Sequence, residues 1–554
     1  MEKAALLCKR LGELKALRSP FEAHWGECYK YGAPERQQAF NGESGTFHTA
    51  KNDRVKLIDS TASEAILNSM VPSLISGTTP ANAIWFKAVP DGMDDPTILT
   101  GGEQWLEQSC QFVWRNIHGA NFDSEVIDYF TDWSVAGWSV MYSDVDRKKN
   151  AGYVFQTWPI GECWIASTRQ DYQVDTIFRV YELSASTLKA EYPANKLPVS
   201  VLEAAENTPD RKYKVLWVIE PRPNAKLPID DRPVLPKNMP FASYHVLMEG
   251  DNHIIKESGY NEFPCSVSRY RRIPGSVYGT GAMSTALPDT KQLQVMQRDF
   301  SRALQMAALG LYAGKDDGNF NPATMVIAPG RVVTVNEIDS LKRIDDSRAV
   351  PMLDAAIEKL QGTIRRKLLA DMMTPQYGQP MTAAETYARV DQVRQQIGPL
   401  YGRIQSEFLI PLLERLIGIA YRAEKLGAAP EDLQGKNLSF KFVSPLARAQ
   451  RLEEVGSIER FLQALPMLSE LDPSAVDNFD SDAATQFMAQ GLGVSASVMR
   501  SEDKLKEHRE KKAQAQQQTQ AQEQQAAMAQ QMTGAVAQGM GKGLEAQMAS
   551  EVMQ

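Results

Sequence analysis

The amino-acid sequence predicts an α+β chain that is mainly helical. Three patterns carry this reading: two apolar stripes at helical spacing over 289–309 and 351–373, aromatic and β-branched segments between residues 153 and 270, and a capping box that opens another long helix at Thr382.

From the N-terminus, residues 1–32 read as an amphipathic helix ending before Gly32 and Pro34, with charges throughout and no signal-peptide pattern. Residues 54–76 read as a second helix, with Ile58, Ala62, Ile66 and Met70 at four-residue intervals on one face. Helices are also expected at 102–116 and 124–133. The pattern then changes to strands at 153–158, 176–181, 214–219, 241–247 and 266–270, with Pro/Asp-rich turns such as Pro221–Pro236 between them. This region is expected to be a mixed or antiparallel sheet domain, with Trp158, Trp164 and Trp217 as core packing.

Leu293, Met296, Phe300, Leu304, Ala307 and Leu311 mark a helix expected to start near Pro288. Leu353, Ile357, Leu360, Ile364, Leu368 and Met372 mark a second, with Pro351 suited to its first turn. Spanning 289–309 and 351–373, each would be roughly 30–35 Å long, and their equal length suggests an antiparallel pair. The insert between them carries Met325–Ala328, a Pro329-Gly330 turn and Arg331–Val335, and reads as a β-hairpin at the tip of a helical stalk. Pro375 and Pro380 keep the following loop from being helical. In the capping box Thr382-Ala383-Ala384-Glu385, the Thr oxygen accepts an exposed first-turn N–H and the Glu reaches back. Pro399 and Pro411 should kink the helix that it opens. Beyond residue 445 helices are again expected. Residues 501–554 hold 13 Gln and 10 Ala, with Met528, Met532, Val536, Met540, Leu544, Met548 and Val552 at four-residue steps. That tail reads as helix to about Gln531, and beyond it as either disordered or helical by packing with copies of itself.

Composition narrows the function. The 554 residues carry a net charge of −8, which argues against a protein that wraps nucleic acid but not against one that touches DNA loosely. No run of about 18 apolar residues occurs, so no membrane span is expected; Phe408–Tyr421 is interrupted by Pro411, Glu414 and Arg415. The five scattered cysteines suit reduced thiols in a cytosol, and no Cys-x-x-Cys or His pair at metal spacing occurs. Gly279-Thr280-Gly281-Ala282-Met283-Ser284 begins like a dinucleotide loop but has Ser at the third Gly position. Gly435-Lys436 fails the phosphate-loop pattern on both sides, and no Gly-x-Ser-x-Gly elbow stands out. The chain therefore reads as no enzyme, with no cofactor and no metal.

Six motifs in order then resemble the head-to-tail connector, or portal, proteins of short-tailed bacteriophages. They are Arg18-Ser19-Pro20-Phe21 with Trp25; Asp59-Ser60-Thr61-Ala62; Trp85-Phe86; Tyr278-Gly279-Thr280-Gly281 through Pro288-Asp289; Met381–Thr386; and Gly402–Leu412. The resemblance covers roughly residues 1–430.

It implies a dodecameric ring at one vertex of a phage head, with a central channel through which double-stranded DNA is packaged and ejected. The parts would be a wing (1–280), a first stem helix (281–311), a clip (312–349), a second stem helix (350–373), a tunnel loop (374–381), a long kinked helix of the wing (382–429), a helical crown (430–500) and the tail (501–554). Implied partners are further copies of the chain, double-stranded DNA without sequence preference, the terminase large subunit, a tail adaptor, and major capsid and scaffolding proteins, with no membrane. The implied location is the virion, and host cytoplasm during assembly. An acidic ring carrying on the order of −100 charges would repel DNA on average and let it thread without sticking. Candidate channel residues are Arg365, Arg366, Lys367, Met372, Met373, Gln376 and Tyr377. Candidate docking residues on the clip are Lys315, Arg331, Lys342 and Arg343. For Arg365, Arg366, Lys367, Lys342 and Arg343 the alternative is pairing with acids of a neighbouring subunit, and for the loop residues it is burial between subunits. The chief rival reading of the whole chain is an oligomeric helical scaffold or adaptor of a virion without a channel, and the second is an enzyme acting on nucleic acid through a carboxylate metal site that no motif reveals.

Overall fold

The computed structural model describes residues 2–36, 57–90, 101–146, 152–223, 235–249, 252–309, 311–314, 341–344, 349–370, 400–430 and 438–442, with residues 398, 433, 458, 461–462, 484–485, 488 and 508–512. In chain order the elements are α1 (Glu2–Gly32), α2 (Thr61–Glu64), α3 (Val71–Thr78), β1 (Phe86–Pro90), α4 (Gly101–His118), α5 (Phe122–Val135), β2 (Trp138–Asp146) and β3 (Gly152–Trp158). Next come β4 (Cys163–Ala166), β5 (Thr176–Ser184), α6 (Ala185–Glu191), α7 (Val199–Asn207), β6 (Lys212–Pro221), β7 (Phe241–Leu247), β8 (His253–Tyr260), β9 (Cys265–Arg269), β10 (Arg271–Arg272) and β11 (Gly279–Thr280). Last are α8 (Ala282–Leu309), β12 (Leu311–Gly314), β13 (Leu341–Ile344), α9 (Ala349–Lys367), α10 (Ile410–Arg422) and β14 (Leu438–Phe442). The chain divides into two units, residues 1–85 with 111–427 and residues 86–110 with 428–554.

The first unit is built on two antiparallel sheets. Strands β4 to β8 form one in sequential order. Alternation along its strands supplies two apolar faces. Leu216, Val218, Tyr244 and Val246 meet Ala4, Leu7, Leu11 and Leu14 of α1. On the opposite parity, Val215, Leu247 and Ile255 meet Leu188 of α6 and Val201 and Ala204 of α7. The second sheet has the order β3-β2-β9. The outer edge of β3 is closed by side chains: Asn121 donates to the Phe155 carbonyl and accepts its N–H at 2.7 and 3.0 Å, and Glu125 accepts from Thr157 N–H at 2.7 Å. Such capping blocks pairing with a foreign strand. Trp158 and Trp164 are buried as expected, and Trp217 stacks on His245 at 4.6 Å.

The expected helix over 54–76 begins only at Thr61, and Ile58 is exposed, not on the buried face. Between α2 and α3 lies a π-helical turn, Ala65–Met70, and another, Ile404–Leu409, precedes α10. Each ends two residues before a proline, Pro72 or Pro411, and in each the next N–H bonds five residues back, Val71 to Ile66 and Ile410 to Gln405. A proline has no N–H to offer the residue four positions earlier, so the wider turn absorbs the lost bond. The kink expected at Pro411 takes this form.

Buried charges hold the second sheet to the helix after residue 400. Arg269 and Glu407 form a two-pronged pair, from Nη2 to Oε1 at 2.8 Å and Nε to Oε2 at 3.1 Å. Arg269 also donates to the carbonyls of Tyr172 and Val277. Arg415 donates to the Ser143 carbonyl at 2.9 Å and meets Asp144 and Glu262.

In the second unit β1 and β14 pair antiparallel, Phe86 opposite Phe442 and Pro90 opposite Leu438. The sequence reading contained no strand at either place.

Candidate functional site

Gly279-Thr280-Gly281, which starts like a nucleotide loop, does something else. Gly137 has φ +89°, and a Cβ there would sit 2.1 Å from the Thr280 carbonyl carbon; one on Gly281 would sit 2.5 Å from the Ser134 carbonyl oxygen. The glycines let two backbones touch, and so place the start of α8 against the end of α5. That contact sets the helix start at Ala282, not near Pro288, and leaves Pro288 inside the helix.

α8 and α9 pair antiparallel. At one end Lys367 Nζ lies 2.5 Å from Asp289 Oδ2; beyond the other, β12 pairs with β13, Leu311 opposite Ile344 and Gly314 opposite Leu341. The helices have 28 and 19 residues, so their lengths are not equal. α9 stops at Lys367, not 373: Leu369 has φ +60° and its N–H bonds the Arg366 carbonyl three residues back. The apolar stripes are buried near the Lys367–Asp289 end, through Leu293, Ile357 and Ile364. Towards the β12–β13 end burial falls off: Leu304 of the first stripe is 44% exposed, and Met352, which lies off the second stripe, is 75% exposed.

Where the helices pack best, Asp59 joins them. Its Oδ1 accepts from Thr61 N–H at 2.9 Å, and its Oδ2 from Gln361 of α9 at 2.9 Å and Gln297 of α8 at 3.5 Å. Gln294 accepts the N–H groups of Ile58 and Asp59 and donates to the Asp59 carbonyl. The sequence reading quoted Asp59 only within a motif; the polar glutamines beside the apolar stripes were the available signal. Asp59→Ala should lower stability by about 1–3 kcal/mol, because two glutamines and an amide lose a charged acceptor. A thermal unfolding midpoint equal to that of the native protein would contradict this.

The candidate residues divide as follows. Arg365, Arg366 and Lys367 occupy the last turn of α9, where the carbonyl end of the helix favours cations. Lys367 is held by Asp289 of its own chain. Arg365 and Arg366 are exposed and have no acid within ion-pair distance among the described residues; Arg366 Nε donates to the Gly362 carbonyl at 3.3 Å. Lys342 and Arg343 lie on β13, opposite Ala313 and Tyr312. Met372, Met373, Gln376, Tyr377, Lys315 and Arg331 lie outside the described residues, as does the hairpin turn expected at Pro329-Gly330.

No described group of three or more His, Cys, Asp or Glu is placed to hold a metal ion, and no described helix is long and apolar enough to cross a membrane. Burial pushes the thiols of Cys28 and Cys110 up to about 11, away from the depressed values of a nucleophile. It pushes His245, beside Lys256, down to about 3.

Sequence comparison relates the chain to known proteins. The chain is 26% identical over 537 residues to the portal protein of Salmonella phage epsilon15, covering 93% of this chain and 92% of that one. It is 25% identical over 518 residues to a probable portal protein of Bordetella phage BPP-1, covering 89% and 88%. The sequence profile of the bacteriophage head to tail connecting proteins matches residues 4–499. Because that profile spans most of its length, the chain belongs to the bacteriophage head to tail connecting protein family.

Proposed function

We propose that this chain is a phage portal protein: a ring-forming subunit at one capsid vertex, through whose central hole double-stranded DNA is packaged and later ejected. The observation that carries the reading is the α8–α9 pair. It carries a two-stranded tip, leaves Leu304 and Met352 exposed in the single chain, and presents two arginines with no acid within ion-pair distance among the described residues. Exposed apolar side chains along a helix pair call for cover by another surface, and neighbouring copies in a closed ring supply it.

In this reading residues 1–280 and 382–429 form a wing, α8 and α9 the stem, 312–349 the clip, 374–381 a loop at the channel and 430–500 a crown, with the tail at 501–554. The clip, with Lys315, Arg331, Lys342 and Arg343, docks the terminase large subunit during filling and a tail adaptor afterwards. Capsid and scaffolding proteins meet the ring elsewhere. Arg365 and Arg366 keep the duplex centred, while Lys367 chiefly locks the stem through Asp289. Met372, Met373, Gln376 and Tyr377 touch passing DNA without reading its sequence. Subunit number is expected to be twelve. The chain is a structural part of the virion, assembled in host cytoplasm, and the ATP-driven work falls to its partner.

Negative-stain images of the purified protein should show closed rings with a central hole; filaments or monomers at every concentration would favour a scaffold or adaptor instead. Arg365→Ala with Arg366→Ala should leave rings intact and reduce DNA retention or packaging yield severalfold. Unchanged packaging would remove both residues from the channel.

A further inference from the structure

A separate basic surface lies on the first unit, around the loop between β4 and β5 and the β10–β11 hairpin. The loop turns at Tyr172, whose φ of +58° is rare for a bulky residue. The buried Arg269 holds that turn through the Tyr172 carbonyl at 2.9 Å, and Arg272 holds the Asp171 carbonyl at 2.9 Å. The Tyr172 side chain is thereby left 46% exposed, beside Arg169, itself 58% exposed. Arg271 is exposed and has no acid partner among the described residues. Arg403 joins from the other side, donating to the Tyr270 carbonyl at 3.4 Å.

Five guanidiniums, those of Arg169, Arg269, Arg271, Arg272 and Arg403, thus gather with three carboxylates. Of these, Glu407 is taken by Arg269 and Arg272, Asp175 by Thr168 and Thr176, and Asp171 by Gln173 N–H and Arg169. The excess is positive on a chain whose total is −8. Apart from Tyr172, no large apolar side chain is exposed among the described residues of this surface. A peptide partner would need pockets for apolar anchors, whereas a phosphodiester backbone needs only forked cations and hydrogen-bond donors such as the Tyr172 hydroxyl.

We propose that Arg169, Arg271 and Tyr172, braced by Arg269 and Arg272, form a second contact surface for the phosphate backbone of DNA, separate from the α8–α9 pair. The choice of DNA over another polyanion rests on the portal reading above. Because the two sites lie on different elements, their failures can be told apart.

The test is binding of a short mixed-sequence duplex to the full-length protein, followed by anisotropy as salt is raised. Each lost phosphate contact should flatten the slope of log affinity against log salt by about 0.9. Arg169→Ala with Arg271→Ala should therefore flatten it by about 1.8 and weaken binding on the order of tenfold at low salt. Both side chains are exposed, so the unfolding midpoint should stay in place. Arg271→Glu should weaken binding further. Tyr172→Asn, which tolerates the left-handed turn, should weaken binding with the slope unchanged. An unaltered slope in the double variant overturns the proposal, even if rings with a central hole form and Arg365 and Arg366 matter for packaging. Polyglutamate binding that depends on Arg169 and Arg271 while duplex binding does not would assign the surface to an acidic protein and overturn it as well.

Discussion

Gly137→Ala is expected to yield no stable folded protein. The substitution places a methyl carbon 2.1 Å from the Thr280 carbonyl carbon and 2.2 Å from the Gly281 nitrogen, and backbone atoms cannot swing aside as a side chain can. The φ of +89° adds a conformation that alanine avoids. Relief would require separating α5 from the start of α8, and with it Tyr270, whose N–H bonds the Gly137 carbonyl at 2.8 Å. A loss of at least about 4–5 kcal/mol, the extreme for a single change, is the expectation. Soluble yield and the unfolding midpoint measure it, and a well-folded Gly137→Ala protein with a native midpoint would refute the backbone-to-backbone contact. Gly12, with nothing within 4 Å of its Cβ position, is the control that should tolerate alanine.

The second large effect is expected at Arg269. Its side chain is fully buried, and its partner Glu407 is nearly so. Removing the guanidinium leaves a carboxylate with its main counter-charge gone and strips the Tyr172 and Val277 carbonyls of a donor. Breaking a buried pair from one side costs about 3–5 kcal/mol, largely because the surviving charge stays desolvated. Arg269→Ala should therefore lower the denaturation free energy by that amount. The double variant Arg269→Met, Glu407→Leu should recover a large part, since two apolar groups leave no buried charge. A double variant as unstable as the sum of its parts would mean that the pair is not one interacting unit.

Much of the helical architecture could be read from residue spacing. The stripe through Leu353, Ile357, Leu360 and Ile364 places α9, and the recurrence of aromatic and β-branched residues places β3, β5, β6 and β7. Where the reading failed, a tertiary contact had overridden a local signal. Pro288 resembles a helix start because proline suits a first turn; the glycine contact with Gly137 starts the helix six residues earlier. β2 was missed because its first six residues are all buried, which erases the alternation that identifies a half-exposed strand. The π turns were missed although each stands two residues before a proline. β1 and β14 are short and find each other across some 350 residues, a pairing no local pattern encodes.

The candidate site divides the same way. Cations at Arg365, Arg366 and Lys367 are visible in the chain, but that Lys367 is tied to Asp289 while its two neighbours are not depends on α8 lying antiparallel to α9. Local periodicity, punctuation by proline and glycine, and the acidic total were determined by the sequence itself, because the first two depend on neighbours within a few turns and the third is a sum that no folding changes. Tertiary structure alone decided which polar groups meet: Asp59 with Gln361, 302 residues away, and Arg269 with Glu407, 138 away. Such partners are chosen by the packing of whole elements, and a side chain carries no mark of the distant group whose charge or hydrogen bond it will satisfy once buried.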